Sequence, residues 1–268
     1  MVQEEVALTA NLVSLKNVSK NYETLTGEII EAIKNVSFDL QSGEVLGLVG
    51  PSGCGKSTIL KMISGVETSS AGTIDRGKEE GDNFVVGFIF QDSSLMRWRS
   101  VYDNIKLPLE VLGRKNVEKI AELIKTVNLT GFERAYPIEL SGGMQRRVAI
   151  ARALVHEPNV LLMDEPFTGV DEITKEILQT ELNFVIRKLN VTAVLVTHDI
   201  EEAVFLADRV LVISDRPGTI LQEVNVPLPK MREPVLRSEQ RYLDCCLVIR
   251  ERLNLLHPLR TRESNPPE

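Results

Sequence analysis

The stretch GPSGCGKSTIL, Gly50 to Leu60, gathers glycines, hydroxyl residues and one lysine before it turns apolar. Gly50, Gly55, Lys56 and Ser57 fit the spacing G-x-x-x-x-G-K-[ST]. Glycines let a backbone curl until several N–H groups point at one centre. A helix starting near Lys56 adds its positive end to that nest. Such a cradle suits a phosphate chain, with Lys56 neutralising the outer charge and the Ser57 hydroxyl set to bind Mg²⁺. The bland alternative is a glycine turn ahead of a helix with an incidental lysine. On this motif alone kinases, GTPases, helicases and transport ATPases all stay open.

Other positions that could do chemistry fall at the ends of apolar runs. VLLMDE ends on Asp164 and Glu165, TAVLVTHD places His198 just past its apolar part, and FVVGFIFQ ends on Gln91. LSGGMQRR again sets a serine and two glycines at a helix start. Ser141 would cap that helix, and Gly142 and Gly143 would leave its N–H groups open to a phosphate. Taken alone, an ordinary capped helix explains it as well.

The elements that must position these residues follow from periodicity. Leu12–Asn17 and Ile33–Leu40 read as strands, and Gly43–Gly50 as a buried strand entering a tight loop. Ser57–Gly65 then shows helical spacing and stops at glycine, so the first motif joins strand to helix. Phe84–Gln91 is another apolar strand. VEKIAELIKTVNL has a period near 3.6, with Val117, Ile120, Ala121, Ile124 and Val127 expected on one buried face. GGMQRRVAIARALVHEP reads as a helix closed by Pro158. VLLMDE and TAVLVTHD read as strands buried on both faces of a parallel sheet, with EITKEILQTELNFVIRKLN as the crossover helix between them. This alternation gives an α/β fold whose ligands sit at the carboxyl ends of the strands.

The chain has 268 residues, 43% apolar and 26% charged, as in an ordinary globular protein. Its formal charge of −7 argues against nonspecific binding to nucleic acid or to an anionic membrane surface. No apolar run approaches the roughly 18 residues of a membrane span. The acidic start MVQEEVALTA does not read as a secretory signal, so a cytosolic chain is expected. Of the three cysteines, Cys54 lies in the glycine loop, and Cys245 and Cys246 are adjacent, a poor geometry for a structural disulfide. No second Cys/His group completes a metal site around that pair. SEQRYLDCCLVIRERLNLL reads as helix and RTRESNPPE as disordered.

With the glycine loop, LSGGMQ, VLLMDE and VTHD in this order, Leu12 to Leu221 resembles the ABC (ATP-binding cassette) ATPase family. The resemblance implies a P-loop NTPase fold with a RecA-like, mainly parallel sheet and an N-terminal antiparallel β subdomain. It places an ATPase domain at 12–233, with a helical subdomain inserted at about 92–158, and leaves 234–268 as a C-terminal helical tail.

It also implies ATP and Mg²⁺ as cofactors. Gly50, Pro51, Ser52, Gly53, Cys54, Gly55, Lys56, Ser57 and Thr58 would wrap the phosphates, and Tyr22 would stack on adenine unless it is a packing tyrosine. Ser57, Gln91 and Asp164 would hold the metal. Glu165 would be the general base, with His198 and Gln91 sensing the γ-phosphate beside Lys56. Asp171 matches the D-loop aspartate, although TGVDE departs from the commoner SALD pattern. Ser141, Gly142, Gly143 and Gln145 would reach the nucleotide of a second copy. Cys54 would make the protein sensitive to thiol reagents.

The partners implied are that second copy (or a homologous ATPase), transmembrane permease subunits and, indirectly, an extracytoplasmic solute-binding protein; no nucleic acid is expected. The chain would then lie on the cytoplasmic face of the membrane. Trp98, between Arg97 and Arg99, is either a permease contact or a packing aromatic. ERAYPIELSGG lacks the charged segment of many exporters, which favours an importer. MDEPFTGVDEITKE, THDIEEAVFLADRVLVISDRPGTI and VPLP resemble the nitrate/sulfonate/taurine importers. The competing class is a soluble, non-transport ABC ATPase of repair, translation or cluster assembly. A P-loop kinase would leave LSGGMQ unexplained.

Overall fold

The computed structural model describes residues 11–77 and 84–254. Its centre is a six-stranded sheet of order β5 (Val86–Ile89), β6 (Val160–Asp164), β7 (Ala193–Thr197), β3 (Val45–Val49), β8 (Arg209–Ile213) and β9 (Ile220–Asn225). All pairs are parallel except β8 with β9. A second, antiparallel sheet has the order β2 (Ile29–Gln41), β1 (Asn11–Glu23), β4 (Ala71–Arg76).

The apolar runs alternate between two cores, as the period of two in a strand requires. Leu46, Leu48, Val160, Leu162, Val194 and Val196 face the antiparallel sheet and α1 (Lys56–Ser64). Val45, Val49, Leu161, Met163, Ala193 and Leu195 face the other side, toward α4 (Gly142–Leu154), α5 (Glu172–Lys188), α6 (Ile200–Leu206) and α7 (Gln240–Asn254). Sandwiched strands of this kind need no polar face, which is why the runs are continuously apolar.

The insertion after Gln91 carries α2 (Val101–Val111) and α3 (Val117–Thr126), capped by Ser100 and Asn116. One face departs from expectation: α3 buries Ile120, Leu123 and Ile124, while Val117 and Ala121 are exposed. Val117 opens the first turn, where the helix has not yet met its neighbours, and Leu123 completes the i, i+3, i+4 stripe instead. β4 and β9 arise from AGTIDR and ILQEVN, segments the periodicity does not announce.

The end of the described chain is helical as expected. A 3-10 turn at Pro234–Ser238 leads into α7, which packs on α6, β8 and β9. Cys245 and Cys246 are buried there as free thiols, pushed up in pKa chiefly by burial. The tail RTRESNPPE lies outside the described residues.

Candidate functional site

Strand register brings the chemical residues to one edge of the central sheet. Val49 pairs with Thr197, and Asp164 pairs with Val196. The loop after β3, the carboxylates after β6 and the histidine after β7 therefore leave the sheet side by side. Ile89, two residues before Gln91, pairs with Met163 and brings β5 to the same edge.

The loop Gly50–Gly55 has the shape only glycine permits at two points. Gly55 sits at φ +104°, and a Cβ there would lie 2.8 Å from Ala32 O. A Cβ on Gly50 would lie 2.7 Å from Ile213 O. Lys56 opens α1 and is buried; its Nζ donates to Gly50 O at 2.7 Å and Pro51 O at 2.8 Å, so the ammonium lies within the loop. Ser57 Oγ donates to Asp164 Oδ1 at 2.9 Å. Burial raises the Asp164 carboxyl pKa, and the neighbouring Glu165 adds to that while Ser57 opposes it. A half-buried carboxylate whose charge is disfavoured, beside a hydroxyl oxygen, is a donor pair suited to a hard cation such as Mg²⁺. Among the described residues there is no group of three or more His, Cys, Asp and Glu that could hold a metal. A site completed by Ser, Gln and phosphate oxygens would not form such a group.

Glu165 follows β6 in the left-handed region at φ +44°, and its amide donates to Val196 O at 2.9 Å. Its Oε2 lies 3.2 Å from His198 Nδ1 and accepts from Thr168 Oγ1 at 3.1 Å. Asp199 caps α6, accepting from the amides of Glu201 and Glu202, and pairs with Lys175. Lys56, Ser57, Asp164, Glu165 and His198 thus form one constellation.

The remaining expected site residues stand elsewhere. Ser141 accepts from Met144 N at 3.3 Å and caps α4; Ser141 and Gly142 are exposed, and a Cβ on Gly142 would meet nothing within 4 Å. Gln145 Nε2 donates to Pro137 O at 2.9 Å and to Leu140 O at 3.4 Å, so its side chain braces its own loop. Asp171 caps α5 through Thr174 N, a bond that holds its carboxyl below the usual range. Tyr22 lies at the end of β1 with Lys20 Nζ 5.0 Å from its ring centroid. Gln91 is exposed, and its carbonyl accepts from Arg146 Nη2 at 2.7 Å.

Two features were not foreseen. Arg146, which LSGGMQRR leaves without a role, is buried and clamps Phe90 O and Gln91 O. Cys54 is 1% exposed and its pKa is raised, mainly by burial. The expected thiol sensitivity does not fit a sulfur turned into the core beneath the loop.

With this geometry in hand, the similarities to known proteins are specific. Residues 33–168 match the family model described as ABC transporter. An aliphatic sulfonates import ATP-binding protein, SsuB of Bacillus cereus, is 41% identical over 230 residues, 85% of this chain and 91% of that protein. The chain belongs to the ABC transporter family. It is an ATP-binding cassette and an ATPase. SsuB of Bacillus licheniformis is 44% identical over 77% of this chain and 83% of its own length. The ATP-binding cassette MJ0796, solved as a dimer in a post-hydrolysis state bound to ADP and Pi, has a TM-score of 0.68 and 33% identity. That likeness covers 81% of this chain and all of the solved cassette. Among the described residues of the cassette, no helix is long and apolar enough to cross a membrane.

Proposed function

We propose that this cassette powers an importer of small sulfonate-type anions, and that two copies clasp ATP and Mg²⁺ between them. The observation that carries the clasp is the separation of two phosphate-binding half-sites. Lys56 and Ser57 lie on α1, which packs on β2, β4, β6 and β7. Ser141 to Gly143 begin α4, which packs on α2, α3, α5 and β5 and leaves its N-terminus open. Each helix end supplies N–H groups and positive potential for a triphosphate. A second copy would supply the half that each lacks. The dimeric MJ0796 cassette supports this reading.

In the closed pair, Gly50 to Thr58 bind the phosphates, and Ser57, Asp164 and the Gln91 side chain hold Mg²⁺, which would screen phosphate charge. Glu165 accepts a proton from the attacking water. His198 orients Glu165 through the 3.2 Å contact and faces the γ-phosphate. Ser141, Gly142 and Gly143 of the second copy donate from the far side, Gln145 braces that loop, and Asp171 lies at the seam. Tyr22 flanks the adenine.

The importer reading draws on the SsuB relatives, whose names specify aliphatic sulfonate import. Nitrate, a smaller anion, and taurine, a zwitterion that carries a sulfonate, are the related solutes. A cavity of about 680 Å³ beside Gln91, lined by Phe84, Phe88, Phe90, Met96, Leu107 and Val111, offers a permease an apolar seat. Trp98 is 75% exposed nearby in sequence, which favours the contact reading over internal packing. The cassette then lies on the cytoplasmic membrane face, and an extracytoplasmic binding protein delivers the solute to the permease. The import proteins among the relatives favour this reading over a soluble ABC ATPase.

The test is complementation. Lys56→Ala and Ser141→Arg each abolish hydrolysis alone. Mixed, they rebuild one intact composite site and recover a substantial fraction of the parental rate. No recovery on mixing refutes the shared site. Stimulation of the permease-bound ATPase by an alkanesulfonate, and not by an uncharged analogue, tests the solute class.

A further inference from the structure

Glu202 is a buried acid that the site chemistry leaves unused. It is 4% exposed at the third position of α6. After an N-cap such as Asp199, a glutamate here ordinarily turns back to bond the N-cap amide and close a capping box. That amide is already taken, since Asp199 N donates to Thr197 Oγ1 at 3.0 Å. The Glu202 carboxyl meets the Thr197 hydroxyl instead, and its Oε1 has no hydrogen-bond partner among the described residues. A buried acceptor left so is costly, and capping does not account for it.

Charges face this carboxyl from each element around it. Asp199 comes from the start of its own helix and Lys175, bonded to Asp199, from α5. Glu165 comes from the end of β6 and Arg146 from α4, with Asp92 beside Arg146. On the α7 side, Tyr242 Oη and Arg250 engage the neighbouring Glu201. Arg146 is already committed to Phe90 O and Gln91 O at 2.9 and 2.7 Å. A negative charge on Glu202 would therefore act both on Glu165 and on the arginine that fixes the backbone at Gln91.

We propose that Glu202 is a positioning residue of the ATPase cycle, neutral while Arg146 clamps the Gln91 backbone and, once ionised, a competitor that draws Arg146 off it. The inference rests on the roles proposed above for Gln91, Glu165 and His198. Burial, then Asp199, pushes the Glu202 carboxyl up to about 8. Below that pH the side chain adds no further negative charge beside Asp199 and Glu165. Above it, the new carboxylate attracts Arg146, the two carbonyls lose their donor and Gln91 is no longer aimed. Turnover falls, while ATP binding at Gly50–Thr58 holds.

The test compares kcat and KM for Mg·ATP hydrolysis by the full chain and by Glu202→Gln across about pH 6.5 to 9.5. With a group titrating near pH 8, wild-type kcat falls about tenfold from its plateau by pH 9. Glu202→Gln, held neutral, keeps its plateau there at an unchanged KM. Identical alkaline limbs in both proteins, or a change confined to KM, overturn the proposal. If Glu202→Gln does not fold, the infrared band of a protonated carboxyl in the wild type decides. Bleaching near pH 8 in step with kcat supports the proposal, and bleaching out of step, or no such band, overturns it. A wild type that does not hydrolyse ATP at neutral pH fails the underlying reading instead.

Discussion

Glu165→Gln separates geometry from proton transfer. The backbone at this position is held independently of the carboxylate, by the Glu165 N to Val196 O bond and the left-handed turn. Glutamine keeps the length of the side chain, and its amide oxygen can accept from Thr168 Oγ1 as Glu165 Oε2 does at 3.1 Å, while staying 3.2 Å from His198 Nδ1. What it cannot do is take a proton from water. A positioned general base contributes about 10²- to 10⁴-fold, equivalent to about 3–5 kcal/mol of barrier. Because Lys56, Ser57 and Asp164 are untouched, ATP affinity should stay within about threefold of parental, below 1 kcal/mol. Single-turnover hydrolysis with excess protein gives the chemical step, and light scattering reports the dimer. The expected result is a loss of turnover by at least about a hundredfold, with ATP-bound dimers accumulating. Hydrolysis at the parental rate would refute the base assignment. Equal losses of binding and turnover would show that the substitution had disturbed the phosphate cradle instead.

Other outcomes follow from the packing. Asp208→Ala removes the acceptor of two Arg187 bonds at 2.8 Å and of the Val45 amide at 2.9 Å, and leaves the buried Arg187 and Arg232 without their shared countercharge. Stability should drop by about 3–5 kcal/mol in urea denaturation; a loss under 1 kcal/mol would contradict that. With Cys54, Cys245 and Cys246 all buried and their pKa values raised, the native protein should react slowly with a chromogenic disulfide reagent. All three thiols should react once it is unfolded, and rapid labelling of native Cys54 would overturn the inward placement of its sulfur.

The sequence discloses most readily what local pattern controls. The apolar runs at Val45–Val49, Val160–Asp164 and Ala193–Thr197 announce a sandwiched parallel sheet, and the glycine and serine spacings mark both helix starts. β4 and β9 stay hidden because AGTIDR and ILQEVN are half-exposed strands carrying polar residues, so neither alternation nor a continuous apolar run marks them. The buried face of α3 is misread at Val117 because a first-turn residue meets no neighbour, whatever its hydropathy. Arg146 and Glu202 are invisible for a deeper reason. Both are charged residues on helices, and only partners from other elements show that they are interior: Phe90 and Gln91 for Arg146, and Thr197, Lys175 and Glu165 for Glu202. Cys54 likewise looks like part of the loop's open side until the fold turns its sulfur inward.

The register of β6 makes its length as strict a requirement as its composition. Alternate residues from Val160 to Met163 serve opposite cores, and the same count delivers Asp164 opposite Ser57. Dropping a single residue within this run would swap the two faces and carry Asp164 into the place of Met163, away from Ser57, and adding one would set the Met163 thioether where an oxygen donor must stand. Mutational tolerance here should therefore be lopsided: generous toward exchanges among aliphatic residues, and closed to any change in their number.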